Sequence, residues 1–221
     1  MAITVMLALQ YDAMASLFFV VLCGYLIGSI PIADLVTRRV GAPNLREVGD
    51  RNPGFWNSRS VLNRNQSMVV FVGDLLKGTL STLLARQWSD DWRVWFFGAA
   101  AAMIGHAWPL FAMFSGGRSV LTWVGAAIII SPWVGAFCIL MFLLFWAATR
   151  SFSYAVRIGV ILYPLTQWYA DGIWFTAATG LLMTIIGLRF AMANGLESTV
   201  RAASPAVLLR RRAADDGEPG E

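Results

Sequence analysis

Three short polar segments interrupt an otherwise apolar sequence, and they carry residue types that bind phosphate. They read GDRNPGFWN at 49–57, FSGGRS at 114–119 and TRSFS at 149–153. Backbone N–H groups in glycine-rich turns can converge on an anion, and an arginine guanidinium donates paired hydrogen bonds to phosphate. The segments therefore predict an anion-binding site, provided that the fold brings them together.

The second segment has the most specific composition of the three. Gly116, Gly117, Arg118 and Ser119 come immediately before a predicted helix, whose N-terminus also favours negative charge. Arg118 is the best single candidate for a phosphate ligand. The alternative is a helix-capping turn whose arginine extends to the membrane surface.

The other two segments supply hydrogen-bonding and cationic groups. Asn52 and Asn57 can bind carbonyl, hydroxyl or phosphate oxygens, although the same loop could merely connect two helices. Arg46 precedes this loop and is a further phosphate-binding candidate. Arg150 and Ser153 open a later helix, where an arginine that only reaches the interface is an equal possibility.

Ionisable residues inside apolar segments need a partner or a function. Asp74 and Lys77 lie three residues apart and so share a helical face, which fits structural pairing and an active-site role equally well. His106, the only histidine, could be a general base, a donor to phosphate or a packing residue. With one histidine and two separate cysteines, a metal site is not expected.

The segments that must position these groups are membrane helices. The 221 residues are 57% hydrophobic and 14% charged, with mean hydropathy +0.62, whereas about a quarter of a soluble protein is charged. We predict an all-α integral membrane protein, a seven-span helical bundle in which Gly24 and Gly28 mark close helix packing. The predicted spans are 14–36, 66–85, 94–113, 119–131, 132–149, 154–170 and 172–190. The fourth is short or re-entrant because Ser131-Pro132 closes it.

Basic residues predict the orientation. Seven spans with the N-terminus outside place 14 of the 17 lysines and arginines on the cytoplasmic side, as the positive-inside rule requires. All three polar segments then lie on that side. Residues 1–197 form a single predicted domain, and 198–221 a mobile cytoplasmic tail.

Six motifs follow one another along the sequence: GYLIGSIP at 24–31, LREVGDRNPGFWN at 45–57, GDLLKG at 73–78, IGHAWPLFAMFSGGRSVLT at 104–122, TRSFS at 149–153 and GLE at 195–197. In their order and spacing, these motifs resemble the PlsY family of bacterial glycerol-3-phosphate acyltransferases. The resemblance implies a seven-span enzyme of the bacterial inner membrane that works in phospholipid synthesis with acyl phosphate as donor.

Individual positions follow the family pattern unevenly. Gly49, Asn52, Gly54 and Asn57 match its first loop, whose serine, second glycine and threonine are replaced by Asp50, Arg51 and Trp56. The Gly-Gly-Lys-Gly loop of the family is here Gly116, Gly117, Arg118 and Ser119. Arg150, Ser153 and Glu197 match later positions, but the His-x-x-Asn expected before Glu197 is missing.

Two functional hypotheses follow. In the first, the enzyme transfers a fatty acyl group from acyl phosphate to glycerol 3-phosphate or a related polyol phosphate, giving lysophosphatidate and phosphate. Asn52, Asn57 and His106 would orient the reacting groups, with phosphate held by Arg46, Gly116, Gly117, Arg118, Ser119, Arg150, Ser153 and Glu197. No cofactor, metal or nucleic acid is expected.

In the second hypothesis, a non-catalytic homologue binds acyl phosphate or anionic lipid. An anion transporter fits less well, since the polar groups gather at one face.

Overall fold

The fold is known from a computed structural model that describes residues 2–202, with the side chains of 14–193 apart from 152, 153 and 156. Within those residues the chain is helical and contains no strand. The helices are α1 (Ala2–Ser29), α2 (Ile32–Arg39), α3 (Phe55–Ser58), α4 (Arg64–Trp88), α5 (Trp92–Ala107), α6 (Val120–Ile130), α7 (Pro132–Thr149), α8 (Phe152–Asp171) and α9 (Ile173–Ala202), with a 3₁₀ turn at Leu110–Ala112. The prediction of an all-helical membrane protein is confirmed.

Within the part of the chain that the structure describes, five segments are long and apolar enough to cross a membrane. They are Met14–Arg39, Arg64–Trp88, Trp92–Ala112, Pro132–Thr149 and Ile173–Ala193. The fourth predicted span is α6, which has only 11 residues and ends shortly before Pro132 starts α7. The sixth is the 20-residue α8, which is outside this set of five. The count of seven crossings therefore stays a prediction.

Local signals in the sequence explain where the helices begin. Asn63 caps α4 through a reciprocal pair: its side chain accepts from the Gln66 backbone N–H, and the Gln66 side chain accepts from the Asn63 backbone N–H. Asp91 caps α5 by accepting from the backbone N–H of Arg93. These caps fix the starts of the two helices that carry Asp74, Lys77 and His106.

Glycines let the central helices approach each other closely. A Cβ atom on Gly28 of α1 would collide with the Ala102 carbonyl of α5, and one on Gly24 would lie 2.9 Å from the Gly98 carbonyl oxygen. The predicted role of Gly24 and Gly28 in packing is thus confirmed. Gly78 of α4 meets the Thr122 carbonyl of α6 in the same way.

The chain forms two compact units, Met1–Ile186 and Gly187–Glu221. In the first, α4 and α5 pack against α1 and α6, and a core of Phe96, Met103, Trp123, Ile130, Tyr163 and Leu182 joins the later helices. In the second, the described backbone is the last part of α9. The predicted boundary at residue 197 stays a prediction.

Candidate functional site

A small cavity lies where the end of α1, the start of α2, the middle of α4 and the end of α5 meet the Gly-Gly turn. Its lining combines a few apolar residues with a cluster of charged ones. The lining residues are Gly28, Ile30, Pro31, Ile32, Ala33, Asp34, Arg46, Pro53, Asp74, Lys77, His106, Pro109, Gly116 and Gly117. Two of the predicted polar segments therefore contribute to one cavity.

The wall of the cavity formed by α4 and α5 carries a buried trio. Lys77 Nζ donates to Asp74 Oδ1 at 2.8 Å and lies 3.1 Å from His106 Nδ1. Asp74, Lys77 and His106 are only 2%, 5% and 7% exposed, so the ammonium and the carboxylate depend on each other for compensation. His106 Nδ1 also lies 3.5 Å from Asp74 Oδ1, so this ring nitrogen faces both members of the ion pair.

The Gly-Gly turn packs against this histidine. The Gly117 N–H donates to the His106 carbonyl oxygen at 3.0 Å. A Cβ atom on Gly117 would collide with His106 Nε2, and one on Gly116 with the His106 carbonyl oxygen. Both positions therefore require glycine, and Nε2 lies immediately beside the turn that was predicted to hold phosphate.

Arg46 joins three parts of the site. Its Nη1 and Nη2 donate to the two carboxylate oxygens of Asp34 at 2.7 and 3.0 Å. Its Nε donates to Ser115 Oγ at 3.1 Å, and Nη2 also contacts the Ser115 carbonyl oxygen. The loop that follows α2 is thereby fastened both to α2 and to the Gly-Gly turn.

Arg118 lies outside the lining of the cavity and pairs with Asp50. Its Nη1 donates to Asp50 Oδ2 at 2.8 Å, with the two side chains 20% and 36% exposed. Asp50 is one of the positions where the sequence departs from the family pattern. The predicted phosphate ligand is thus held beside a carboxylate on the 49–57 loop.

Asn57 and Asn52 lie in different surroundings. Asn57 is buried, and its Nδ2 donates to the carbonyl oxygens of Leu45 and Val48 at 2.8 and 3.0 Å. These bonds fold the loop that carries Arg46. Asn52 is half-buried, and its backbone N–H donates to Asp50 Oδ1 at 3.2 Å. Neither side chain is part of the cavity lining, although Pro53 between them is.

The structure describes the side chains of only two of the four remaining candidate phosphate ligands. Ser119 is buried and donates its hydroxyl to the Met103 carbonyl oxygen at 2.7 Å. Arg150 is exposed and is the C-cap residue that follows α7. The side chains of Ser153 and Glu197 lie outside the described residues. For all four, phosphate binding stays a prediction.

The backbone is strained in all three polar segments. Positive φ angles occur at the non-glycine residues Arg51, Ser119 and Arg150, and also at Met113 and Phe114 in or beside the second segment. Such conformations are costly for residues with a Cβ atom and persist where the surrounding contacts enforce them. The strain coincides with the segments selected for their chemistry.

Sequence reasoning left Asp34 out of the site altogether and named Asp74 and Lys77 without assigning them to it. A signal for Asp34 existed, because a carboxylate within the apolar segment Met14–Arg39 requires a cationic partner. Which arginine supplies that partner depends on the tertiary fold. Among the described residues, no group of three or more His, Cys, Asp or Glu side chains could hold a metal ion.

This arrangement suits the binding and orientation of a phosphorylated substrate. Two cationic side chains, the His106 imidazole and a glycine turn line one cavity. Asp34 and Asp74 hold the cations in place, so the site is organised before a ligand arrives.

Comparison with known proteins agrees with this geometry. Residues 18–194 match the family model of glycerol-3-phosphate acyltransferase. The glycerol-3-phosphate acyltransferase of Syntrophotalea carbinolica is 33% identical over 177 residues, covering 78% of this chain and 89% of the relative. That of Thioalkalivibrio sulfidiphilus is 34% identical over 168 residues, covering 75% and 82%.

Two solved structures share the fold. The glycerol 3-phosphate form of PlsY, an integral membrane glycerol 3-phosphate acyltransferase, is 30% identical with a TM-score of 0.71, covering 84% of this chain and 94% of that one. Its lysophosphatidic acid form has a TM-score of 0.67 at 27% identity, covering 84% and 93%. The chain is therefore a multi-pass integral membrane acyltransferase and belongs to the PlsY family of glycerol-3-phosphate acyltransferases.

Proposed function

We propose that the protein transfers a fatty acyl group from acyl phosphate to glycerol 3-phosphate. The acceptor hydroxyl oxygen forms a bond to the acyl carbonyl carbon, and the bond from that carbon to the phosphate oxygen breaks. The hydroxyl proton goes to the departing phosphate, so the products are lysophosphatidate and inorganic phosphate. An acyl phosphate is already activated, so positioning and charge stabilisation can supply the catalysis.

The single observation that carries this proposal is the composition of the cavity lining. Lys77, Arg46 and the Gly116-Gly117 turn provide positive charge and close backbone approach around one cavity. Cationic side chains beside a glycine turn suit the phosphate groups of both proposed substrates.

The proposed donor also needs a place for its acyl tail. An open apolar groove runs along α4 and is lined by Ile32, Asn65, Met68, Val69, Val72, Gly73 and Leu76. Ile32 lines both this groove and the charged cavity. An acyl chain in the groove would therefore adjoin the charged cavity at Ile32, which supports a lipid-linked donor.

The position of His106 Nε2 beside the Gly-Gly turn favours a donor role in this reaction. With Nδ1 accepting from Lys77, the ring proton would reside on Nε2 and would be donated to a phosphate or carbonyl oxygen. The donor phosphate would then take the hydroxyl proton. Replacing His106 by Gln, which retains a donor, should therefore reduce turnover only partly.

The test is an assay of the purified protein with glycerol 3-phosphate and either acyl phosphate or acyl-CoA. We expect phosphate release in step with lysophosphatidate formation from acyl phosphate, and no product from acyl-CoA. Comparable rates with acyl-CoA would refute the proposed donor. A panel of polyol phosphates in place of glycerol 3-phosphate tests the acceptor.

A second candidate is a homologue that binds acyl phosphate or anionic lipid without turnover. The observation that favours it is the pairing of two of the three candidate arginines with carboxylates, Arg46 with Asp34 and Arg118 with Asp50. A phosphate group would have to share or displace these partners. Binding of acyl phosphate without product from any acceptor would select this alternative.

We place the protein in the bacterial inner membrane with the N-terminus outside and the C-terminus in the cytoplasm, on the strength of the arginine distribution. Single cysteines at the exposed positions Ser60 and Gln87 test this, with Cys23 and Cys138 replaced. An impermeant thiol reagent applied to intact cells should label the cysteine at position 87 and spare the one at 60. The reverse pattern would invert the topology.

A further inference from the structure

We propose that Asp34 is a positioning residue that fixes the guanidinium of Arg46 for recognition of the acceptor phosphate. This inference rests on the proposed function, because it assumes that the cavity binds glycerol 3-phosphate. Asp34 would act through Arg46 without touching the substrate.

Asp34 has the geometry for this role. It lies in the first turn of α2, and both of its carboxylate oxygens accept from Arg46, at 2.7 and 3.0 Å. A two-point contact between a planar guanidinium and a carboxylate sets orientation as well as distance. Asp34 is only 7% exposed, so solvent competes little for these bonds.

The remaining contacts of Arg46 show what this orientation achieves. Nε and one Nη2 hydrogen are directed to Ser115, at the start of the Gly-Gly turn. Two further N–H groups bind Asp34. Guanidinium has five N–H donors, so an Nη1–H is left over, and it has no partner among the described residues. Arg46 lines the cavity, which makes this donor available to a bound anion.

Charge explains why a positioning role differs from a simple contribution to affinity. The carboxylate of Asp34 neutralises the charge of Arg46 in part, so it lowers the attraction for a free anion at long range. In return it holds one donor in a fixed direction and joins α2 to the turn. If positioning dominates, loss of Asp34 weakens acceptor binding; if neutralisation dominates, its loss strengthens binding.

Steady-state kinetics separate these outcomes. We expect Asp34→Asn to raise the KM for glycerol 3-phosphate roughly tenfold and to change kcat much less, because a charge-assisted hydrogen bond corresponds to about that factor. The matched control is Asp91→Asn, which alters another carboxylate beside an arginine, 3.7 Å from Arg93, and keeps a good helix cap. Its KM should be unchanged. An unchanged or lowered KM in Asp34→Asn would overturn the proposal.

A double-mutant cycle tests whether Asp34 acts through Arg46. Lysine cannot reproduce the two-point contact, so Arg46→Lys should raise KM by itself. Adding Asp34→Asn to it should then raise KM by less than about twofold. Multiplicative effects would show that Asp34 acts independently, which contradicts a positioning role. A merely structural ion pair would lower the melting temperature and leave KM unaltered.

A binding measurement distinguishes failure of this inference from failure of the proposed function. Glycerol 3-phosphate should raise the melting temperature of the wild-type protein by mass action, and raise that of Asp34→Asn less at the same concentration. If the wild type shows no turnover but retains this difference, the proposed reaction fails and the inference stands. Equal stabilisation of both proteins, or of neither, refutes the inference.

Discussion

The charged cluster at the cavity and a neutral network around Gln167 are both buried, and they differ in charge and in what surrounds them. The cavity cluster, Asp74, Lys77 and His106, contains two ionised groups and borders an open space. The Gln167 network is neutral: Gln167 Nε2 donates to Ser131 Oγ at 2.8 Å, and its Oε1 accepts from Thr179 at 2.6 Å. Gln167 is fully buried.

The contrast shows how a membrane protein separates chemistry from support. A neutral amide between two hydroxyls holds helices together at a small desolvation cost, because each of its buried polar atoms has a nearby hydrogen-bond partner. Ionised groups are far more expensive in this environment and are kept where a function requires charge. Burial of polar groups therefore indicates a functional role in the charged cluster and a structural role in the neutral one.

The largest expected effect comes from breaking the charged cluster. Lys77→Met would leave the buried carboxylate of Asp74 without its ammonium partner, which typically costs about 3–5 kcal/mol. We expect a clear fall in melting temperature in detergent and a loss of kcat/KM of more than about 100-fold. Near-normal activity in a folded Lys77→Met protein would place the catalytic charge elsewhere.

The Gly-Gly turn gives the next largest effect. In Gly117→Ala the new methyl group would collide with His106 Nε2 and displace the turn or the ring. A displacement of positioning groups by about 1 Å can lower the rate roughly 100-fold, so we expect kcat to fall by a similar factor. Gly159→Ala in α8 is the control, because a Cβ atom at that position would meet nothing within 4 Å. Equal activity of both variants would contradict the contact with His106.

Arg118 should show a smaller effect, since it lies outside the cavity lining and is partly exposed. Arg118→Ala is expected to raise the KM for a phosphorylated substrate about tenfold, the range of one charge-assisted hydrogen bond. The comparison is Arg86→Ala, which removes an arginine that donates to the Ile129 carbonyl oxygen at 2.9 Å. Equal and small changes in both would show that Arg118 only reaches the membrane surface.

The smallest effect on activity is expected in the neutral network. Gln167→Leu should lower the free energy of unfolding by about 1 kcal/mol, because two hydrogen bonds are lost while apolar packing partly compensates. Its kcat and KM should match those of the wild type. A large loss of activity would mean that the two clusters are coupled, and the distinction between chemistry and support would fail.

The sequence was sufficient for those features that depend on local patterns. Helix positions followed from apolar segments, the end of α6 from Ser131-Pro132, and the close packing at Gly24 and Gly28 from their spacing. Gly116, Gly117 and His106 could be selected because their types and order are specific. All three line the cavity.

Pairings between distant residues could not be predicted in the same way. Arg46 had several possible anionic partners, and only the fold places Asp34 within 2.7 Å of it. Asn57 was selected for its amide, but the amide serves the loop backbone at Leu45 and Val48. For α8, apolar composition alone did not decide whether a helix crosses the bilayer.

The glycine contacts between the central helices affect how the protein responds to its lipid environment. A methyl group on Gly28, Gly78 or Gly125 would collide with a facing backbone carbonyl, so α1, α4, α5 and α6 have little freedom to slide. A Cβ atom on Gly159 of α8 would meet nothing within 4 Å. Bilayers of different thickness are accommodated by helix tilt. We expect α1, α4, α5 and α6 to tilt together as one group, so the cavity keeps its dimensions as the fatty acid composition of the membrane changes.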